Sequence, residues 1–257
     1  MQKYFQQLIL MLFIVVTALN SYCQHMEYLG KYSYYIYGWT KESRINNGIK
    51  QYRQVLGTCF FIRNKKTTYI SGAAHIFTGL SHSGEETDSY YPDTLYIRLY
   101  NDGEKKFKDF PFGIAKIKKS SDTNFFKTHA DIFIYPIQIP GNYTINSIEK
   151  FIKHKAEYKE VTEAIMYGYP DSTPGLLQKC VMDPKSDTLV RFEENPGELD
   201  LQYKIKSGDF GAGNSGSPLF FKTKNSEIIF GGICIGGYPE GFSVFVPHSF
   251  VIKLLGN

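Results

Sequence analysis

Apolar and polar residues alternate along much of the chain with the two-residue period of β-strands. Residues 95–100 read Leu-Tyr-Ile-Arg-Leu-Tyr, which predicts a strand with one buried face. The Asn-Asp-Gly sequence that follows at 101–103 predicts a hairpin turn. Other runs in the first half of the chain predict strands at 28–39, 57–62, 69–71 and 112–117.

A second group of apolar runs follows a segment at 138–146 that contains proline and glycine and is predicted to be a linker. The last residues, 247–255, have apolar side chains at helical spacing and predict a short terminal helix. The pattern therefore predicts an all-β chain with a first barrel at about 28–138 and a second at about 148–246. Within the second, strands are predicted at 162–166, 176–182, 188–193, 199–205, 219–221, 228–235 and 242–246.

Composition agrees with an all-β chain. The 257 residues are 42% hydrophobic and include 20 Tyr and 20 Phe, residues that favour strands. The net charge of +4 is too small to indicate binding to nucleic acid or to an anionic membrane. We therefore expect neither a nucleic-acid partner nor a charge-driven membrane contact.

The N-terminal segment has the pattern of a secretory signal peptide. Lys3 precedes an apolar run at 8–19, and polar residues follow at 20–24. We expect residues 1–23 to be removed and the rest, 24–257, to be secreted or periplasmic. A lipid anchor on Cys23 is the alternative interpretation. No later segment is long and apolar enough to predict a membrane span.

Three cysteines remain after the predicted leader, Cys59, Cys180 and Cys234. An odd number cannot pair completely within one chain. Two of them lie in apolar runs, which favours buried free thiols. Their spacing relative to the six histidines does not match a zinc site, and we expect neither a metal nor another cofactor.

The glycine-rich stretch 211–218 carries the clearest chemical signal. It reads Gly-Ala-Gly-Asn-Ser-Gly-Ser-Pro, and glycines at this density allow a turn with positive φ. Such a turn can present the hydroxyl of Ser215 while the amides of Gly213 and Ser215 point at one site, as in an oxyanion hole. A serine needs a base to act as a nucleophile.

The chain offers a base and a carboxylate in suitable settings. His75 follows a predicted strand end and two alanines, and Asp131 begins an apolar run. The motifs Ala-Ala-His, Asp-Ile and Gly-Asn-Ser-Gly, in this order, resemble those of the chymotrypsin/trypsin-like serine peptidases. The sequence Gly-Asn-Ser-Gly-Ser-Pro resembles the bacterial trypsin-like and glutamyl-endopeptidase-like branch. The resemblance covers nearly all of the chain after the leader.

The resemblance implies a fold of two six-stranded antiparallel Greek-key barrels with a short C-terminal helix. It also implies a catalytic triad of His75, Asp131 and Ser215, an acyl-enzyme intermediate and a polypeptide substrate. Asn214 stands where zymogen-type relatives have an aspartate that pairs with a newly freed N-terminus. We expect the loop to form without that ion pair, because an amide carries no charge.

The substrate pocket is less well defined. Asp209 lies six residues before Ser215, where a trypsin-type pocket has an acidic floor for Arg or Lys. It could equally lie in an exposed turn. Ser243 falls near the position that selects glutamate in the bacterial branch. The resemblance implies that Gly236 and Gly237 pair with the substrate backbone, and a final candidate, Gly241, is expected to form an open pocket wall.

Two functions from different classes stay open at this point. The first is a secreted, monomeric serine endopeptidase. The second is a catalytically silent binding protein on a trypsin-like scaffold. Labelling of the serine by a fluorophosphonate distinguishes the two functions.

Overall fold

A computed structural model describes most of the chain between Leu29 and Leu255. The chain divides into two units, Met1–Lys31 and Tyr32–Asn257, and the predicted signal peptide lies outside the described residues. The larger unit contains the strands and helices considered below. The described residues are 29–39, 44–46, 49–51, 54–78, 92–114, 131–153, 161–170, 175–191, 201–207, 213–238 and 242–255.

The described part of the larger unit consists of β-strands with a few short helical segments. Helix α1 spans Ala74–Thr78, a 3-10 helix spans Glu149–Phe151, and helix α2 spans His248–Leu254. None of the described helices is long and apolar enough to cross a membrane. The strands are β1 Tyr34–Trp39, β2 Arg44–Asn46, β3 Ile49–Gln51, β4 Gln54–Asn64, β5 Thr67–Ala73, β6 Thr94–Asn101, β7 Lys106–Gly113, β8 Ile132–Pro136, β9 Tyr143–Thr144, β10 Val161–Gly168, β11 Gln178–Arg191, β12 Leu201–Ser207, β13 Pro218–Thr223, β14 Ile228–Tyr238 and β15 Phe242–Pro247.

Two antiparallel sheets contain nearly all of these strands. The first has the order β7-β6-β1-β4-β5-β8, with β9 added beside β6, and the second is a closed barrel with the order β10-β11-β12-β15-β14-β13. Apart from β9, each sheet has six main strands, which can be numbered one to six along the chain. In both sheets the third strand lies beside the sixth, and the first strand lies beside the fourth. The two sheets thus share one Greek-key connectivity, and the predicted trypsin-like fold with its terminal helix is confirmed.

The first sheet differs from the predicted strands at one hairpin. Strand β7 begins at Lys106, whereas the apolar pattern predicts a strand at 112–117. Asn101 pairs with Lys106 across the hairpin, and the register continues to Thr94 and Gly113. Most residues of β7 are exposed or only half-buried. The strand therefore lacks the alternation of apolar and polar residues that would reveal it in the sequence.

The segment between the two sheets is more ordered than the predicted linker. Within 138–146, strand β9 pairs with the end of β6. The next segment has a charged sequence, yet Ile148 and Phe151 are buried. Phe151 packs edge-on against Phe220 of the second barrel, with ring centroids 5.2 Å apart. Burying these two apolar side chains fixes this charged segment in place.

Aromatic side chains also join the two sheets directly. The rings of Phe60 on β4 and Phe230 on β14 have centroids 5.5 Å apart. Both side chains are fully buried. Because large buried rings contribute strongly to packing, this contact helps to fix how the second barrel packs against the first sheet.

Candidate active site

The pairing of two strands in the first sheet brings His75 and Asp131 together. Strands β5 and β8 are antiparallel, and Ala73 pairs with Ile132. The residues that follow β5 therefore face the residue that precedes β8. The backbone N–H of Ala74 donates to the carbonyl oxygen of Asp131 over 3.1 Å and extends the ladder by one bond.

Both oxygens of the Asp131 carboxylate accept hydrogen bonds from His75. Oδ1 accepts the backbone N–H over 2.8 Å, and Oδ2 lies 2.5 Å from the ring Nδ1. A carboxylate has no proton to donate, so Nδ1 carries the hydrogen in this contact. The Asp131 side chain is 2% exposed and that of His75 is 36% exposed. The ring therefore has a buried carboxylate on one side and an accessible edge on the other.

Helix α1, which carries His75, is anchored by the two apolar residues that follow the histidine. Ile76 and Phe77 are both buried, and the ring of Phe77 stacks on Phe133 of β8 with centroids 4.0 Å apart. A Cβ at Gly57 would lie 2.4 Å from Ile76 Cδ1, so the glycine leaves the space that Ile76 fills. The imidazole thus projects from a turn with little freedom to move.

The loop that contains Ser215 is a tight turn leading into β13. Gly213 and Gly216 have φ values of +91° and +87°, which side-chain-bearing residues rarely adopt. The N–H of Ser217 donates to the carbonyl of Asn214 over 3.1 Å. Two further bonds join this loop to β14: Gly216 N–H to Cys234 O at 2.6 Å and Cys234 N–H to Ser217 O at 2.9 Å.

The serine loop also contacts the first sheet. The N–H of Thr58 on β4 donates to the carbonyl of Ser215 over 2.9 Å, and the Thr58 hydroxyl donates to the carbonyl of Gly213 over 3.1 Å. A Cβ at Gly216 would lie 3.1 Å from the amide nitrogen of Ala73. The residue after Ser215 therefore lies against the strand end that precedes His75.

The two amides expected to form an oxyanion hole belong to this loop. Gly213 is buried and Ser215 is half-buried. Neither of their N–H groups donates to another residue in the part of the chain that the structure describes. The carbonyl groups of the same two residues accept hydrogen bonds from Thr58. The backbone around the Ser215 amide is therefore held in place.

The predicted pocket residues fall into two groups. Three of the five lie on paired strands: Gly236 and Gly237 are on β14, and Gly237 pairs with Ser243 of β15. Gly237 is exposed, and a Cβ at Gly236 would meet nothing within 4 Å, so this part of the strand has open space beside it. The other two predicted pocket residues, Asp209 and Gly241, lie outside the described residues.

Sequence reasoning missed three residues that shape the serine loop. Thr58 holds two of its carbonyls, and the N–H of Tyr169 donates to the Thr58 hydroxyl over 3.0 Å. A Cβ at Gly168 would overlap the side-chain oxygens of Asn214 and Ser217, so the loop packs directly on the Gly168 backbone. Two features of the sequence could have pointed to these residues: the Gly-Thr pair before an apolar run and the Gly-Tyr-Pro turn at 168–170.

Burial affects three other titratable groups near the loop. Burial raises the pKa of the Cys59 and Cys234 thiols, and it raises the pKa of Tyr169 to about 12. Cys59, Cys180 and Cys234 are buried free cysteines. Within the described ranges no three His, Cys, Asp or Glu residues cluster closely enough to hold a metal ion.

Comparison with known proteins identifies the fold through solved structures. The Rv3671c protease from M. tuberculosis matches in its active form with a TM-score of 0.52 at 14% identity, over 89% of this chain and 81% of that one. Its inactive form gives 0.54 at 14% identity over 90% of both chains. The protease Anisep from Arthrobacter nicotinovorans gives 0.51 at 15% identity, over 84% of this chain and 90% of that one.

No family model matches the chain, and no curated protein matches it. At identities of 14–15% the structural likeness shows the fold alone. The chain therefore has the trypsin-like fold of serine proteases.

Proposed function

We propose that the protein is a serine endopeptidase with Ser215 as nucleophile, His75 as general base and Asp131 as the group that orients the base. The observation that carries the proposal is the pair of hydrogen bonds from His75 to the buried Asp131 carboxylate. A buried carboxylate that fixes both the backbone and the ring of one half-exposed histidine is the arrangement expected of a positioned base.

The reaction follows from the roles of these groups. Ser215 Oγ attacks the carbonyl carbon of a peptide bond while its proton passes to His75 Nε2. The carbonyl oxygen gains negative charge and accepts hydrogen bonds from the amides of Gly213 and Ser215, each contributing about 3 kcal/mol. The tetrahedral intermediate then breaks its C–N bond, and the amine leaves with the proton from His75. Water repeats the sequence on the acyl-enzyme and restores the serine.

Asp131 contributes by fixing the tautomer of the ring. With the hydrogen on Nδ1 held by Asp131 Oδ2, the lone pair of a neutral imidazole lies on Nε2, where it can accept the serine proton. The negative carboxylate also stabilises the imidazolium that forms. Its burial makes this interaction stronger than it would be in water.

The substrate is proposed to be a polypeptide that binds along β14. Gly237 is exposed and Gly236 borders open space, so backbone pairing of an extended peptide meets no side chain there. Selection of Arg or Lys by Asp209, or of glutamate as in the bacterial branch, remains a proposal. A peptide-library cleavage profile separates the two, because the former requires a basic residue before the cleaved bond.

Location and assembly are also proposals. The signal-peptide pattern at 1–23 supports secretion into the periplasm or the medium, where a monomeric enzyme would act without a cofactor, metal or nucleic acid. Sequencing the N-terminus of the mature protein tests the cleavage near residue 23.

A fluorophosphonate probe tests the activity itself, because it reacts with a serine only where a base and an oxyanion site activate the hydroxyl. We expect labelling of the wild type, no labelling of Ser215→Ala and undiminished labelling of Ser249→Ala. Ser249 is an exposed serine on α2 and serves as the matched control. An unlabelled but folded wild type would favour the silent binding protein.

A further inference from the structure

We propose that Thr58 is a positioning residue that holds the serine loop of the second barrel in its working shape from the first sheet. The inference rests on the proposed function, because it assigns a role in presenting Ser215. Thr58 lies on β4, far from the serine loop in sequence, and it is fully buried.

Every polar group of Thr58 is directed at the serine loop or its support. Its N–H donates to Ser215 O over 2.9 Å, and its hydroxyl donates to Gly213 O over 3.1 Å. The same hydroxyl accepts the N–H of Tyr169 over 3.0 Å. Its carbonyl oxygen faces Gly216 so closely that a Cβ at Gly216 would overlap it. One residue thus touches the loop on both sides of the serine.

These contacts fix the peptide groups on either side of the Ser215 amide. The carbonyl of Gly213 belongs to the peptide group that precedes Asn214, and the carbonyl of Ser215 belongs to the one that precedes Gly216. The Ser215 N–H belongs to the peptide group between them. With its two neighbours held by Thr58, that N–H has a restricted direction, as an oxyanion donor requires.

This role depends on the hydroxyl group of Thr58 and not on the volume of its side chain. Valine has nearly the shape of threonine and suits a buried strand position. It would leave the Gly213 carbonyl without its donor and the Tyr169 N–H without its acceptor. Buried polar groups without partners are unfavourable, so the loop should rearrange to find others. A threonine retained only for packing would give no such effect.

The test compares Thr58→Val, Thr58→Ser and Thr223→Val with the wild type. Thr223 is the matched control, because its buried hydroxyl accepts the Glu227 N–H over 3.2 Å at the turn between β13 and β14. The measurements are kcat and KM on a peptide substrate, the rate of fluorophosphonate labelling, and hydrogen exchange in residues 211–220. Thermal unfolding reports on general stability.

For Thr58→Val we expect kcat and the labelling rate to fall about tenfold to a hundredfold, with KM changing by less than about threefold. Exchange in residues 211–220 should rise. Thr58→Ser keeps the hydroxyl and should restore most of the rate, and Thr223→Val should keep wild-type kcat. If Thr58→Val does not fold, Thr58→Cys, with its weakly bonding thiol, replaces it with the same expected direction.

Wild-type kcat and wild-type exchange in Thr58→Val would overturn the proposal. So would equal losses in Thr58→Val and Thr223→Val, because these indicate lost stability alone. An unlabelled wild type would instead refute the proposed function. In that case the exchange measurement still tests whether the Thr58 hydroxyl holds the loop.

Discussion

Replacement of Gly216 by alanine is the sharpest test of how the serine loop is built. A Cβ at this position would lie 1.9 Å from the carbonyl oxygen of Thr58 and 3.1 Å from the amide nitrogen of Ala73. Both neighbours are backbone atoms. Thr58 lies on the central strand β4, paired with Tyr35 of β1 on one side, and the strand continues into pairing with β5 on the other. The loop must therefore move rather than the strand.

The size of the effect follows from the bonds that such a movement breaks. Relief of the overlap requires a shift of about 1 Å or more. This shift would disrupt the bonds from Thr58 N–H to Ser215 O, at 2.9 Å, and from Gly216 N–H to Cys234 O, at 2.6 Å. The loss of two buried hydrogen bonds at about 1–2 kcal/mol each, with about 1 kcal/mol for the positive φ, gives a destabilisation of about 3–5 kcal/mol.

The assay combines thermal unfolding with fluorophosphonate labelling. For a chain of this size we expect the Tm of Gly216→Ala to fall by about 10 °C and labelling to slow at least about a hundredfold. Gly113→Ala is the control, because a Cβ there meets nothing within 4 Å and its strand end is exposed. A Gly216→Ala protein with wild-type Tm and labelling rate would refute this account of the loop.

Two further predictions concern the carboxylate and a buried phenol. Asp131→Asn should lower kcat about a thousandfold or more, because the NH2 group of the asparagine would donate to His75 Nδ1 and leave Nε2 protonated. Asp109→Asn, at an exposed ion pair, is the control. An equal loss of kcat in this control would contradict the proposed role of Asp131. Burial raises the pKa of Tyr34 to about 12, so the folded chain keeps a proton that the unfolded chain loses near pH 10. Stability should fall as pH rises from about 10 to 12, and urea unfolding at several pH values should show a shallower fall for Tyr34→Phe.

The pairing of His75 with Asp131 could be predicted from sequence because each residue sits at the end of an apolar strand. Strand ends are recognisable locally, and the family resemblance supplied which two ends meet. The structure places both at adjacent ends of β5 and β8 and joins them by two hydrogen bonds. The serine loop was recognisable for a similar reason, since its glycines mark the positive φ values found at Gly213 and Gly216.

The residues that support the loop could not be found in this way. The contact of Thr58 with Gly213 spans 155 positions of the chain, and the Gly-Thr pair marks a strand without indicating which distant segment that strand contacts. Strand β7 could not be predicted for the same reason. Its residues are mostly exposed, and its position is set by pairing with β6 rather than by an alternation of apolar residues. Sequence patterns report burial, whereas these features depend on backbone hydrogen bonds between distant segments.

The hydrogen bonds of the serine loop explain why its shape depends on both sheets. Two of its bonds run to Cys234 within the second barrel, and two run from Thr58 of the first sheet. The proposed base is held within the first sheet by two hydrogen bonds to Asp131. Rigid packing of the sheets, as at Phe60 and Phe230, is therefore a condition for the loop geometry as well as for stability. The bonds from Thr58 therefore tie the serine loop to the same sheet that carries His75 and Asp131.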